Sequence, residues 1–246
     1  MGIRSQNNPI AAYLDVFSRS GTDASTGAPV GPAGSGLTAT GGVISDYTEP
    51  NNKVYRSHIF TSSGTFTVSD IPGDFGSNVE YLVVAGGGSG GAQGAGAGGG
   101  GAGGLRTNLP GVQDAGGNPL TGAAFPVSTS PGEYSVTIGG GAAGAVGSGY
   151  GYHGYKGNES SFGPITSTGG GAGGASNEGS VPAPHGAGTG GSGGGRGGRE
   201  SGSAYAGNTP PTSPPQGNPG GTRNGSYYAG GGGGAGAAGS NGVDGT

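Results

Sequence analysis

Tyr81-Leu-Val-Val-Ala85 is a short run of strand-forming residues that passes directly into a tract of glycine and alanine, residues 86–104. The same junction recurs downstream, where three further runs lead into glycines: Tyr134-Ser-Val-Thr-Ile138, Phe162-Gly-Pro-Ile-Thr-Ser-Thr168 and Ser226-Tyr-Tyr-Ala229. The repeated order predicts strands whose ends feed glycine-rich segments.

Glycine supplies 69 of the 246 residues, whereas charged residues make up 9% and both Trp and Cys are absent. Few large apolar side chains are therefore available to offset the conformational entropy lost on folding, which is ~1–2 kcal/mol per residue and largest for glycine. Either the glycine tracts are disordered, as a Gly/Ser-rich composition alone favours, or backbone hydrogen bonding replaces side-chain burial.

Collagen is excluded because glycine occurs in runs without proline, such as 98–101 and 230–234. Glycine runs can instead adopt the polyproline II conformation, which has three residues per turn, rises ~3.1 Å per residue and directs its N–H and C=O groups outwards. Without Cβ atoms, several such helices can approach closely and satisfy one another's backbone groups. The 11 Tyr, 6 Phe and low charge favour such order over disorder.

We therefore predict an all-β fold, a β-sandwich or sheet whose strand ends feed a bundle of polyglycine II helices. The tract 86–104 can form one rod of ~60 Å or return as shorter rods. Residues 105–127 are expected to be an irregular insertion, and the strand at 79–85 to be buried on both faces. The other expected strands cover 54–60, 65–68, 131–138 and 160–168.

Three regions are expected along the chain. Residues 1–17 form a docking or assembly segment with a short N-terminal helix or arm, because apolar residues in 10–17 have helical spacing; an ordinary packing helix is the alternative. Residues 18–42 are a linker or extended arm, rich in small residues and proline. Residues 43–246 are a glycine-rich domain that we expect to continue beyond Thr246.

Several functional classes lack sequence support. The net charge of −4 gives no footprint for nucleic acid, and no apolar run is long enough to span a membrane. No catalytic motif rises above what the composition produces, so we predict no enzyme, no cofactor and no metal site. Arg196, Arg199 and Glu200 are interpreted as a solvated loop.

Tyrosines with a neighbouring cation are the candidate ligand-binding residues. Aromatic faces beside His and Lys can stack on a sugar ring; alternatively, the rings cover the flanks of the glycine bundle. The candidate residues are Tyr150, Tyr152, His153, Tyr155, Lys156 and Tyr205.

The ordered strand–glycine junctions resemble the glycine-rich domain of bacteriophage tail-fibre and adhesin proteins, in particular the virion fibre proteins of marine cyanophages. The residues that carry the resemblance are Ser57-His-Ile-Phe-Thr-Ser-Ser-Gly-Thr-Phe-Thr-Val68, Val79-Glu-Tyr-Leu-Val-Val-Ala-Gly-Gly-Gly88, Pro131-Gly-Glu-Tyr-Ser-Val-Thr-Ile-Gly-Gly-Gly141 and Ser160-Ser-Phe-Gly-Pro-Ile-Thr-Ser-Thr-Gly-Gly-Gly171.

The resemblance implies a structural and host-attachment component of a virion, extracellular when mature, that recognises a host surface receptor through exposed loops. Its implied partners are other copies of itself, with a trimer as one arrangement, other virion proteins through the N-terminal segment, and a host cell-surface glycan or protein. The alternative is a self-assembling extracellular glycine-rich filament or matrix protein of cellular origin.

Overall fold

The computed structural model describes residues 36–48, 54–73, 76–92, 96–145, 152–176, 188–225 and 227–243. The predicted N-terminal helix or arm lies outside these ranges. The described residues contain strands and no helix, which confirms the prediction of an all-β fold. In these ranges, accordingly, no helix is long and apolar enough to cross a membrane.

The strands form one larger sheet and three small ones, and every pairing is antiparallel. The larger sheet has five strands in the order β1-β4-β9-β10-β11, and the small sheets pair β2 with β3, β5 with β8 and β6 with β7. The bounds are β1 Thr38–Thr40, β2 Val43–Thr48, β3 Val54–Ile59, β4 Gly64–Asp70, β5 Asn78–Val79, β6 Leu82–Val84, β7 Leu105–Thr107, β8 Phe125–Pro126, β9 Glu133–Thr137, β10 Ser160–Phe162 and β11 Ile165–Ser167.

A small apolar core lies against one face of the five-stranded sheet. Phe66 and Val68 alternate inwards from β4, and Val136 joins them from β9. Each such side chain contributes ~1.5–3 kcal/mol when fully buried. The rings of Phe125 and Phe162 pack edge to face at a centroid distance of 5.2 Å and extend this core.

β1 continues into β2, and β3 continues into β4. The β2–β3 pair therefore extends the β1–β4 pair as a two-stranded ribbon that leaves the five-stranded sheet. Gly41 (φ 109°) and Gly42 (φ 65°) form the bend, where a Cβ on Gly41 would overlap the carbonyl of Thr65. The stretch predicted as a linker, 18–42, therefore ends within the sheet, because Thr38–Thr40 pairs with β4.

Three further predictions about the strands need correction. Residues 79–85 hold the last residue of β5 and all of β6. Val83 is buried while Leu82 and Val84 are exposed, so only one face is covered. Residues 160–168 form a hairpin, since Gly163 (φ 53°) turns the chain between β10 and β11. The insertion at 105–127 contains β7 and β8.

The glycine-rich sequence forms eight extended segments that lie side by side, each outside the named strands. We number them I to VIII; their residues are 85–92, 96–104, 152–158, 168–176, 188–198, 216–222, 229–234 and 237–242. The tract 86–104 thus returns as two shorter rods, segments I and II.

The hydrogen bonds between segments recur every third residue. The N–H groups of Gly98, Gly101 and Gly104 in segment II donate to the carbonyls of Gly174, Gly171 and Thr168 in segment IV, at 2.9, 2.9 and 2.8 Å. A β-strand would repeat every second residue, whereas a step of three belongs to the polyproline II conformation. The bundle therefore consists of polyglycine II helices whose core is backbone.

Close approach explains the requirement for glycine. A Cβ on Gly98 would overlap the carbonyl of Gly195, and a Cβ on Gly194 would overlap that of Ala172. Residues 171–176 are all buried although none carries a large side chain. Backbone packing thus replaces the apolar side chains that the composition lacks.

The directions of the hydrogen-bonded pairs give the bundle two distinct ends. Segments I, IV, V, VI and VIII run away from the sheets and segments II, III and VII run back, as the parallel and antiparallel pairings require. At the near end, segments I, II and IV join β6, β7 and β11. At the far end lie residues 92, 96, 152, 176, 198, 222 and 229.

Candidate far-end site

Glu200 is the centre of a polar cluster beside the far end of the bundle. It follows segment V and is only 4% exposed. Its carboxylate accepts hydrogen bonds from the N–H of Ala175 at 2.9 Å, the N–H of Gly197 at 3.1 Å and the hydroxyl of Tyr205 at 3.1 Å. A buried carboxylate needs such partners because its desolvation costs several kcal/mol.

Arg196 supplies the positive charge next to this carboxylate. Its Nη1 lies 3.9 Å from Glu200 Oε2, and its guanidinium carbon lies 3.9 Å from the centre of the Tyr205 ring. The Nε donates to the carbonyl of Ser203 at 2.7 Å. Arg196 therefore joins an ion pair, a cation–π contact and the backbone after segment V.

His153 approaches the same carboxylate from segment III. Its Nδ1 lies 3.2 Å from Glu200 Oε1, although the alignment does not meet hydrogen-bond geometry. The Glu200 carboxylate thus connects side chains or backbone groups of segments III, IV and V. We call His153, Arg196, Glu200 and Tyr205 the carboxylate cluster.

A second pair of side chains lies on the exposed surface of the far end. Arg199 Nη2 donates to the Tyr227 hydroxyl at 3.3 Å, and the Arg199 guanidinium lies 5.4 Å from the centre of the Tyr227 ring. Tyr227 is 54% exposed. Unlike the carboxylate cluster, this pair is open to solvent.

The structure brings together only some of the predicted site residues. Tyr205 and His153 meet through Glu200, although 52 positions separate them in the sequence. Tyr152 and Tyr155 are half-buried, and their carbonyls accept hydrogen bonds from Ala92 and Ser89 of segment I. Lys156 is also half-buried, and Tyr150 lies outside the described residues.

The interpretation of Arg196, Arg199 and Glu200 as one solvated loop is wrong for two of the three residues. Glu200 is buried and Arg196 is only partly exposed, because both side chains turn towards the bundle. A signal was present, since three charged residues lie close together beside glycine runs in a chain of low charge. Their burial depends on distant residues in segments III and IV, which no local pattern reveals.

The described part of the chain contains no group of His, Asp and Glu side chains arranged to hold a metal ion. Its polar clusters at the far end offer a buried carboxylate, a stacked guanidinium and an exposed cation–aromatic pair. The Glu200 carboxylate is buried and hydrogen-bonded, so the exposed pair of Arg199 and Tyr227 is the part whose chemistry suits noncovalent contact with a polar, ring-containing ligand.

The sequence pattern of a family described as a glycine-rich domain matches residues 61–246, which is more than half of the chain. The chain belongs to this glycine-rich domain family. The match begins beside β4 and includes all eight bundle segments. No curated protein and no solved structure matches the chain.

The residues that match the glycine-rich domain family thus include the whole bundle, in which backbone packing replaces side-chain packing. The β2–β3 ribbon lies outside the match. Within the family match, the far end carries the chemistry that glycine lacks, namely charged and aromatic side chains at the turns between segments.

Proposed function

We propose that this chain is a structural and host-attachment component of a phage virion, a tail fibre or adhesin-like appendage that binds a host surface receptor through its far end. The observation that carries the proposal is the division of the bundle into two ends. Strands join the segments at the near end, whereas charged and aromatic side chains lie at the far end. The resemblance to phage fibre proteins gives the same assignment.

The bundle has the mechanical properties that an attachment protein needs. A segment of nine residues, such as 96–104, spans ~28 Å in the polyglycine II conformation. Each segment hydrogen-bonds to at least two others, so bending one requires breaking bonds to several neighbours. A rigid rod of this kind can hold recognition residues away from the particle.

The near end is the proposed attachment point within the particle. The N-terminal segment, 1–17, would contact other virion proteins, and the β2–β3 ribbon would contact further copies of this chain. The ribbon exposes Val43 (66%), Val54 (69%) and Ile59 (50%), and an isolated two-stranded ribbon is marginally stable in water. In this proposal the protein is noncatalytic and acts on the outside of the virion.

A cell-binding assay tests the proposal. Fluorescently labelled protein is incubated with a panel of bacterial strains that includes marine cyanobacteria, and bound fluorescence is measured per cell. We expect saturable binding to a subset of strains, reduced by the far-end variant Arg199→Ala/Tyr227→Ala. The near-end variant Arg106→Gln, in β7, should bind as the unmodified protein does.

The same preparation distinguishes the alternative of a cellular filament. Sedimentation velocity should show one defined oligomer whose mass is independent of concentration, as a virion appendage requires. The attachment function would be rejected if the protein formed open-ended polymers and bound none of the bacterial strains.

A further inference from the structure

We infer that Arg199, Tyr227 and Arg223 form a binding site for an acidic sugar, a uronic acid residue of a surface polysaccharide. The inference rests on the proposed attachment function and adds the chemical class of the receptor. The guanidinium groups would pair with the sugar carboxylate, and the Tyr227 ring would lie against the sugar ring.

Arg199 has unused hydrogen-bonding capacity. Its contacts within the described residues are the hydroxyl and ring of Tyr227, and no described carboxylate forms an ion pair with it. Arg56, by contrast, makes two hydrogen bonds to Asp46 at 2.8 Å, and Arg196 approaches Glu200. A guanidinium carries five N–H donors, so Arg199 can still bind a carboxylate in a bidentate manner.

Arg223 adds a second guanidinium at the same end of the bundle. It follows segment VI, and its Nη1 donates to the carbonyl of Gly225 at 2.7 Å. The segments that precede these two arginines are adjacent, because the N–H of Arg196 donates to the carbonyl of Gly221 at 3.0 Å. Segment VII, which Tyr227 precedes, also contacts segment V through the N–H of Gly230.

The negative charge closest in sequence to Arg199 does not offset this surface. Glu200 is 4% exposed, and its two oxygens face Ala175, Gly197, Tyr205 and the side chains of the carboxylate cluster. The two neighbouring residues therefore place their charges on opposite sides. The Glu200 carboxylate is directed into the protein and the Arg199 guanidinium towards solvent. The described surface around Tyr227 is cationic although the whole chain has a net charge of −4.

That overall charge favours a short-range carboxylate contact over binding of a nucleic acid. Affinity for nucleic acids depends on many cations that release counterions along the phosphate backbone, whereas this site offers two. A bidentate guanidinium–carboxylate pair depends on geometry at contact distance. The exposed tyrosine provides a rigid apolar surface with a polar edge, which matches the ring and hydroxyls of a sugar.

Isothermal titration with tetragalacturonate tests the site directly, with neutral galactotetraose as the uncharged comparison. We expect the unmodified protein to bind tetragalacturonate and not galactotetraose. Arg199→Gln and Tyr227→Ala should each weaken binding about tenfold or more, the usual effect of losing a charge-assisted or stacking contact. Arg56→Gln, which removes the same charge at the near end, should leave the affinity unchanged.

Thermal unfolding of each variant checks that the fold is intact, which we expect because Arg199 and Tyr227 are exposed. Equal affinity of the Arg199→Gln, Arg56→Gln and unmodified proteins overturns the inference, as does equal binding of galactotetraose or of an oligothymidylate. If the protein binds bacterial cells but not tetragalacturonate, the acidic-sugar site is wrong and the attachment function stands. If it binds tetragalacturonate but no cells, the site stands and the attachment function fails.

Discussion

Gly98 illustrates how single glycines specify the bundle. Its N–H donates to the carbonyl of Gly174 at 2.9 Å, and its own carbonyl accepts from Gly91 at 3.0 Å. The place that a Cβ would occupy is already taken by the carbonyl of Gly195. Since all of these neighbours are backbone, none can rotate away as a side chain would.

Replacing this glycine should therefore destabilise the protein although alanine is small. We expect Gly98→Ala to lower the free energy of unfolding by about 1–3 kcal/mol, the usual cost of overpacking. Gly236→Ala is the matched control, because nothing lies within 4 Å of its added Cβ and its φ is outside the left-handed region. Its stability should stay the same or rise by ~0.4–1 kcal/mol, since alanine restricts the unfolded chain.

Urea unfolding of the two variants measures both values. Equal stability of Gly98→Ala and Gly236→Ala would contradict the close packing of segments II, IV and V. The comparison is internal to one chain and one substitution type, so differences in helix or strand propensity between residue types do not enter.

The carboxylate cluster shows where reasoning from single residues stops. The sequence singled out His153 and Tyr205 as receptor-binding candidates because they carry distinctive side chains in a chain of small residues. It did not predict that both approach Glu200, because this depends on segments III and V lying at the same level of the bundle. The partner of a buried charge is set by the packing of whole segments.

The loop around Asp114 is held by its own side chain. Oδ1 accepts the N–H groups of Gly116 at 2.9 Å and Asn118 at 2.8 Å, and Oδ2 accepts the Asn118 amide at 2.8 Å. The hydrogen bonds from Asn118, and then that from Gly116, lower the pKa of Asp114 below its ordinary value of 3.8. The N–H of Ala115 also donates to Gly236, so this loop is attached to the near end of the bundle.

The order of this loop should depend on pH in a definite direction. Because the folded pKa is lowered, the stabilisation is fully present above the ordinary value of 3.8 and is lost as the pH falls below it through the folded pKa. Nuclear magnetic resonance should show the amide signals of Gly116 and Asn118 moving together in that acidic range. Asp114→Asn should remove the transition, whereas Asp70→Asn should retain it; a transition that survives in Asp114→Asn would contradict this assignment.

The strands and the glycine tracts could be predicted from sequence because each has a local signal. Tyr134 to Ile138 alternates as a strand does, and runs of glycine without proline can adopt the polyproline II conformation. The neighbours of each segment could not be predicted, since every glycine offers the same donor and acceptor and sliding a segment by three residues restores the same pattern. Register instead depends on rare polar residues such as Gln216, whose side chain accepts from Thr168 and donates to Pro210.

The whole molecule is a small apolar core joined to a larger core of backbone. Side chains such as Phe66 and Val136 stabilise the sheet, whereas hydrogen bonds between glycine segments stabilise the bundle. Such bonds contribute little individually, about 0.5–1.5 kcal/mol each, but leaving them unmade in a buried site costs more. The bundle should therefore form as a unit, because a lone segment would leave its donors unpaired.

Amide hydrogen exchange can test this architecture residue by residue. In segment II the N–H groups of Gly98, Gly101 and Gly104 donate to segment IV, and those of Gly99 and Ala102 donate to segment VII. The N–H groups of Gly100 and Gly103 have no hydrogen-bond partner among the described residues. Exchange measured by nuclear magnetic resonance should consequently be slow at two positions of every three, with faster exchange recurring at the third. Protection at alternate residues would indicate β-strands instead. Exchange at the rate of a free peptide throughout 96–104 would show that the tract is a flexible spacer. The sheet would then lack the backbone core that holds the far-end side chains in place.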